Sequence, residues 1–104
     1  MADRELGGNI VLVDFSLEDQ EMIIVKKIVG NYARKIKNFV EYQELKIELK
    51  SHQRNKGAKK YEMKASLIFD GERLNSEVSG LNLFVVLSEI MNKLLSEVEH
   101  KIKK

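Results

Sequence analysis

Apolar residues along this chain follow two different periods, and the changes of period mark its elements. Leu83, Phe84, Leu87, Ile90, Met91, Leu94, Leu95, Val98 and Ile102 recur at spacings of three and four. That is the apolar stripe of a long amphipathic helix, which predicts a helix from about residue 82 to the end. A stripe of this width requires a cover, and the strand-like runs upstream supply one. A second helical pattern spans Leu17 to Lys37. Its apolar side is Ile24, Val25, Ile28, Val29, Tyr32, Ala33 and Ile36, and its outer face carries Lys26, Lys27, Asn31, Arg34, Lys35 and Lys37. Ser16 followed by Asp19 resembles a capping box, and Glu18, Asp19 and Glu21 place negative charge where the helix dipole favours it. Gly30 in mid-helix costs about 1 kcal/mol against Ala, so a bend or break is expected there.

Between and before the helices the period is two. Ile10 to Phe15 is a short β-branched run that predicts the first strand. Tyr42 to Lys50 alternates, with Leu45, Ile47 and Leu49 on one face and Glu44, Lys46, Glu48 and Lys50 on the other. Residues 51–60 lack any apolar period and predict a basic loop. Tyr61, Met63, Ala65, Leu67 and Phe69 then share one face of a third strand. Asp70-Gly71 is a two-residue hairpin signal, because both residues tolerate the positive φ of a type I′ turn. Glu72 to Val78 predicts the fourth strand, with Leu74, Ser76 and Val78 inward. Gly80 releases the chain into the last helix, with Ser79 or Asn82 as its cap.

The order is therefore β-α-β-β-β-α. The last three strands form a meander, the first strand and helix a crossover, and both apolar helix stripes require the same sheet face. The expected fold is an α+β two-layer sandwich, a four-stranded mixed sheet with two helices on one face, similar to a double-stranded-RNA-binding domain. At 104 residues the chain makes one domain, 1–104, with 1–8 as a flexible N-terminus and 51–60 as the basic loop.

Composition removes most chemistries. There is no cysteine, hence no disulfide, thiolate ligand or thiol nucleophile. The two histidines, His52 and His100, have no ligand-spaced partner, and no nucleophile elbow or phosphate loop occurs. Glu89–Lys93, Glu97–Lys101 and Glu99–Lys103 read as i,i+4 pairs on a solvated helix face. No apolar run approaches the ~20 residues of a membrane span, and the polar start is no signal peptide. The expectation is a non-enzymatic, cytoplasmic protein without cofactor or metal.

Charge changes the picture more. Residues 1–49 hold seven Lys/Arg against nine Asp/Glu, and 61–104 hold six against seven. Residues 50–60 hold five Lys/Arg and no acid, so the positive excess sits in that segment: Lys50, Arg54, Lys56, Lys59 and Lys60. With the outer face of the first helix and the final lysines, this suits a phosphate backbone. The segment has no aromatic for base stacking, so readout would be of phosphate and shape.

Leu74-Asn75-Ser76-Glu77-Val78-Ser79-Gly80, then Asn82-Leu83-Phe84, Lys93-Leu94 and His100-Lys101-Ile102-Lys103-Lys104, together with Lys26-Lys27-Ile28, resemble the ribosome hibernation-promoting and ribosome-associated inhibitor family. The resemblance covers Asn9 to Lys104, and the chain is similar to a short, divergent form. Phe84 stands where that family usually has Tyr, and Ser88 and Asn92 where it usually has Asp. The resemblance implies a non-enzymatic protein that binds small-subunit ribosomal RNA and represses or stabilises idle ribosomes under stress, as a monomer or weak homodimer. It implies Lys26, Lys27, Arg34 and Lys35 as phosphate contacts of the first helix, and Lys93, Lys101, Lys103 and Lys104 as those of the last. Lys50, Arg54, Lys56, Lys59 and Lys60 join the nucleic-acid-binding set on charge alone.

Other readings differ in what they require. A double-stranded-RNA-binding domain lacks the first strand and opens its last helix with lysines, whereas here that opening is Leu81-Asn82-Leu83-Phe84-Val85-Val86. A small-ligand module needs a cavity between helix and sheet, and the stripe residues are large enough to fill that space. An oligomer through the open sheet face would have to bury Lys46, Glu48, Glu62 and Lys64.

Overall fold

A computed structural model describes residues 3–53 and 59–103. The elements are β1 (Asp3–Gly7), β2 (Ile10–Val13), α1 (Asp19–Lys37), β3 (Glu44–Gln53), β4 (Lys59–Phe69), β5 (Glu72–Gly80) and α2 (Leu83–Ile102). The four strands expected from the sequence are β2 to β5, in the expected order and mixed sense. β2 is parallel to β3, and β3, β4 and β5 are successively antiparallel. The β-α-β-β-β-α sandwich stands, with one addition.

That addition corrects the reading of residues 1–8 as flexible. Residues 3–7 form an edge strand, antiparallel to β2, so the sheet has five strands in the order β1-β2-β3-β4-β5. Gly7 pairs with Ile10, which leaves Gly8 and Asn9 as a two-residue loop with φ of 60° and 63°. Such positive angles define a type I′ hairpin, which Gly and Asn adopt most readily. The signal was present in the sequence as Gly8-Asn9 ahead of a β-branched run. At the β4–β5 turn, Asp70 and Gly71 take φ of 52° and 73°, as their sequence predicts.

The 51–60 loop is also corrected. Ser51, His52 and Gln53 continue β3, and Lys59 and Lys60 open β4, in register as Ser51↔Tyr61, His52↔Lys60 and Gln53↔Lys59. An antiparallel ladder satisfies its backbone groups without apolar side chains, so the absent apolar period concealed these strand ends.

Both helices bury their stripes in one core with the inner sheet face. Val25, Val29 and Ile36 of α1, Leu87, Ile90, Met91, Leu94 and Val98 of α2, and Leu12, Leu45, Ile47, Met63 and Leu67 of the sheet are all fully buried. Within the run Met22-Ile23-Ile24-Val25 the phase differs from the expected one, since Met22 is buried and Ile24 is 43% exposed. Val25, Val29, Ala33 and Ile36 set the buried side. Met22 stands three residues before Val25 on that side, and Ile24, a further 200° round the helix, is carried off it. Ile102 likewise ends α2 in solvent. α1 runs unbroken through Gly30, because burial of the helix on both sides of it outweighs a propensity cost of about 1 kcal/mol. Its cap is Glu18 rather than Ser16, with the Glu18 N–H donating to Glu21 Oε1 at 3.3 Å. Asn82 caps α2, its side-chain oxygen accepting from the N–H groups of Phe84 and Val85 at 3.0 and 3.1 Å.

Strand directions fix the helix directions. β2, β3 and β5 point the same way, and each helix returns against the strand it follows. α1 and α2 therefore run parallel to each other. Their C-terminal ends meet the Gly8-Asn9 and Asp70-Gly71 turns at one end of the molecule. Their N-terminal ends share the opposite end with the last residues of β3 and the first of β4.

Candidate nucleic-acid interface

The helix layer brings one set of basic residues together. Arg34, Lys35 and Lys37 end α1, and Lys101 and Lys103 end α2, all exposed and at the same end of the parallel pair. Cations are favourable there in any case, since each helix C-terminus carries the negative end of its dipole. Local contacts orient several of them. The Arg34 guanidinium donates to the Asn31 side-chain oxygen. Lys35 Nζ lies 5.1 Å from the Tyr32 ring centroid, and Lys37 Nζ lies 5.6 Å from that of Tyr42. Asn31, Arg34, Lys35, Lys37 and Asn38 line an open depression at the end of α1. Lys26 and Lys27, exposed two turns upstream, extend the same helix surface.

Lys101 forms an ion pair with Glu72 at the start of β5. This takes the place of the expected Glu97–Lys101 pair. Glu89–Lys93, Glu97–Lys101 and Glu99–Lys103 do not close within 4 Å, and the Lys–carboxylate pairs among the described residues are Lys101–Glu72 and Lys60–Glu62, with His52 Nε2 a further 3.5 Å contact of Glu62. Lys93 faces the β5 edge, where its ammonium donates to the Glu77 carbonyl at 3.5 Å. It lines a groove with Asn75, Ser76, Asn92, Ser96 and Glu97.

Lys50, Lys59 and Lys60 lie at the other end of the molecule, on the β3–β4 ladder. Lys59 is exposed, and Lys60 Nζ lies 4.0 Å from Glu62. Arg54, Lys56 and Lys104 lie outside the described residues. Of the ten expected contacts among the described residues, Arg34, Lys35, Lys101 and Lys103 stand at the helix C-termini, Lys26, Lys27 and Lys93 lie along the helices, and Lys50, Lys59 and Lys60 lie at the opposite end, a separation that charge counting did not reveal. Lys46 and Lys64, expected on the open sheet face but not among the phosphate contacts, line a shallow depression there with Arg73, Glu48, Ser66 and Asn75. Strand alternation carried that signal, since it places Lys46, Lys64 and Arg73 outward.

Among the described residues no large apolar space separates the helices from the sheet, since Val25, Val29, Leu45, Ile47, Leu67, Leu87 and Ile90 fill it at 0% exposure. Among the described residues no group of three His, Cys, Asp or Glu is placed to hold a metal, and no helix is long and apolar enough to cross a membrane.

Fold and surface together define a two-layer α+β domain whose helix C-termini carry clustered cations. No family model and no curated protein matches the sequence. Among solved structures the fold is similar to the Protein Y N-terminal domain of Thermus thermophilus, with a TM-score of 0.57 at 15% identity, over 88% of this chain and 91% of that one. It is also similar to a ribosomal subunit interface protein from Coxiella burnetii, with a TM-score of 0.64 at 10% identity, over 89% of this chain and 93% of that one. At these identities the likeness is one of fold.

Proposed function

We propose that this protein is a non-enzymatic ribosome-associated factor of the cytoplasm. In this reading it binds small-subunit ribosomal RNA through the basic surfaces of its helices and so represses or stabilises idle ribosomes. The observation that carries the reading is the convergence of Arg34, Lys35, Lys37, Lys101 and Lys103 at one end of two parallel helices. The fold is one whose solved neighbours include a ribosomal subunit interface protein. Lys26 and Lys27 extend this surface along α1, and Lys93 adds a contact on the β5 side of α2. Phosphates fit such a surface because each contact releases condensed counterions, and the exposed side chains lose little hydration.

Co-sedimentation with small ribosomal subunits tests the reading. If about five of these cations contact phosphates, affinity falls roughly a hundredfold or more between 50 and 200 mM salt. Joint replacement Lys26→Glu, Lys27→Glu, Arg34→Glu and Lys35→Glu abolishes binding with the thermal midpoint within a few degrees of the parent. Binding that ignores salt, or that survives the quadruple replacement, defeats the proposal.

A further inference from the structure

β3 and β4 outrun the rest of the sheet. β2 pairs with β3 only as far as Glu48, and β5 pairs with β4 only as far as Tyr61. Beyond Ser51↔Tyr61 the rungs His52↔Lys60 and Gln53↔Lys59 form a two-stranded ribbon with no strand on either side among the described residues. Its outer face carries Lys50 and His52 on one strand and Lys60 and Glu62 on the other. β3 spans ten residues, about 30 Å, and α1 runs back along it from the ribbon end. The ribbon therefore stands roughly 30 Å from the helix C-termini, in a molecule whose longest extent is 47 Å.

We infer that the β3–β4 ribbon is a second phosphate-binding arm, so that the chain grips RNA at two separated points. Its ligand is the RNA backbone, the class of ligand proposed above, and that is its only dependence on the earlier reading. A two-stranded ribbon projecting from a sheet can approach a backbone that a flat sheet face cannot, and β-ribbons are established readers of nucleic-acid grooves. The described part of the ribbon and its base carries the cations Lys50, Lys59 and Lys60. The nearest restraint is Glu62, which lies 3.5 Å from His52 Nε2 and 4.0 Å from Lys60 Nζ. Glu62 thus holds the Lys60 ammonium back from a phosphate. Two weak grips on one RNA reinforce each other, because the second forms at the effective concentration set by the first.

The test is fluorescence anisotropy with a 20-base-pair RNA duplex across 50 to 200 mM salt. Joint replacement Lys50→Gln, Lys59→Gln and Lys60→Gln removes roughly two units from the log–log salt slope and weakens binding about tenfold or more at 100 mM salt. Arg34→Gln, Lys35→Gln and Lys103→Gln removes a similar amount independently, and the two losses add. Glu62→Gln acts in the opposite sense and tightens binding a few-fold, a gain that a merely solvated ribbon would not give. An unchanged slope in the ribbon triple variant, or no gain from Glu62→Gln, overturns the inference. Co-sedimentation with ribosomal subunits that persists while the ribbon variants leave duplex binding unmoved overturns the ribbon arm alone. A ribbon-dependent slope without co-sedimentation overturns the ribosomal reading alone.

Discussion

The Tyr42 phenol donates a 2.8 Å hydrogen bond to the Gly8 carbonyl, thirty-four residues earlier in the chain. This contact ties the β1–β2 turn to the start of β3, beside the Leu45 N–H that donates to the Asn9 carbonyl at 2.9 Å. The edge strand that looked free in the sequence is thus anchored at its turn.

Removing the phenol oxygen tests that anchor. Tyr42→Phe keeps the buried ring and loses one partly buried hydrogen bond, so stability falls by about 1 kcal/mol, read from urea unfolding at pH 7. Burial first, and Glu41 second, raise the Tyr42 pKa above its ordinary value. The neutral phenol is therefore the form the fold favours. Its contribution is whole below the unfolded value near 10 and is lost as pH rises through the raised folded value. Alkaline titration of stability above pH 10 should be flatter in Tyr42→Phe than in the parent, and equal slopes would remove Tyr42 from the explanation.

Gly30 offers a gain. It lies inside α1, and an added Cβ would meet nothing within 4 Å. Gly30→Ala should raise stability by about 1 kcal/mol through helix propensity and a less free unfolded chain. The urea midpoint reports this. A fall instead would mean that α1 needs the glycine for a bend.

Leu94 and Ile102 share a stripe in the sequence and part company in the fold. Leu94 is fully buried and Ile102 is 41% exposed. Leu94→Ala should lose about 2–5 kcal/mol by transfer and cavity terms, whereas Ile102→Ala should stay within about 0.5 kcal/mol. Comparable losses at both would place the end of α2 against something that covers it.

The strands were legible because their faces differ. Leu45, Ile47 and Leu49 alternate with charged residues, and a one-residue slip would turn all of them outward. Asp70-Gly71 fixed a turn for the same reason that Gly8-Asn9 does, yet Gly8-Asn9 follows a polar stretch that gives no apolar partner to recognise. β1 is held by ladder bonds and the Tyr42 contact, and neither leaves a period in the sequence. The four apolar residues from Met22 to Val25 left the phase of α1 ambiguous, since only the burial of Met22 and Val25 distinguishes them. Every cation of the proposed interface was visible as charge. The separation of the helix C-terminal cations from Lys50, Lys59 and Lys60 was not, because it follows from helix direction and strand length, which only assembly of the sheet determines.

The parallel pairing of Ile10 with Leu45 has a consequence in time as well as in space. β3, β4, β5 and α2 join by short connections, so their contacts close quickly. β2 must wait for α1 and β3, because closing a loop of that span costs entropy before any contact repays it. The meander is therefore expected to gain protection first, with the N-terminal hairpin docking last. Pulse-labelled amide exchange during refolding would show it as early protection at Leu67 and late protection at Leu12. On a translating ribosome the first strands to emerge would be the last to settle.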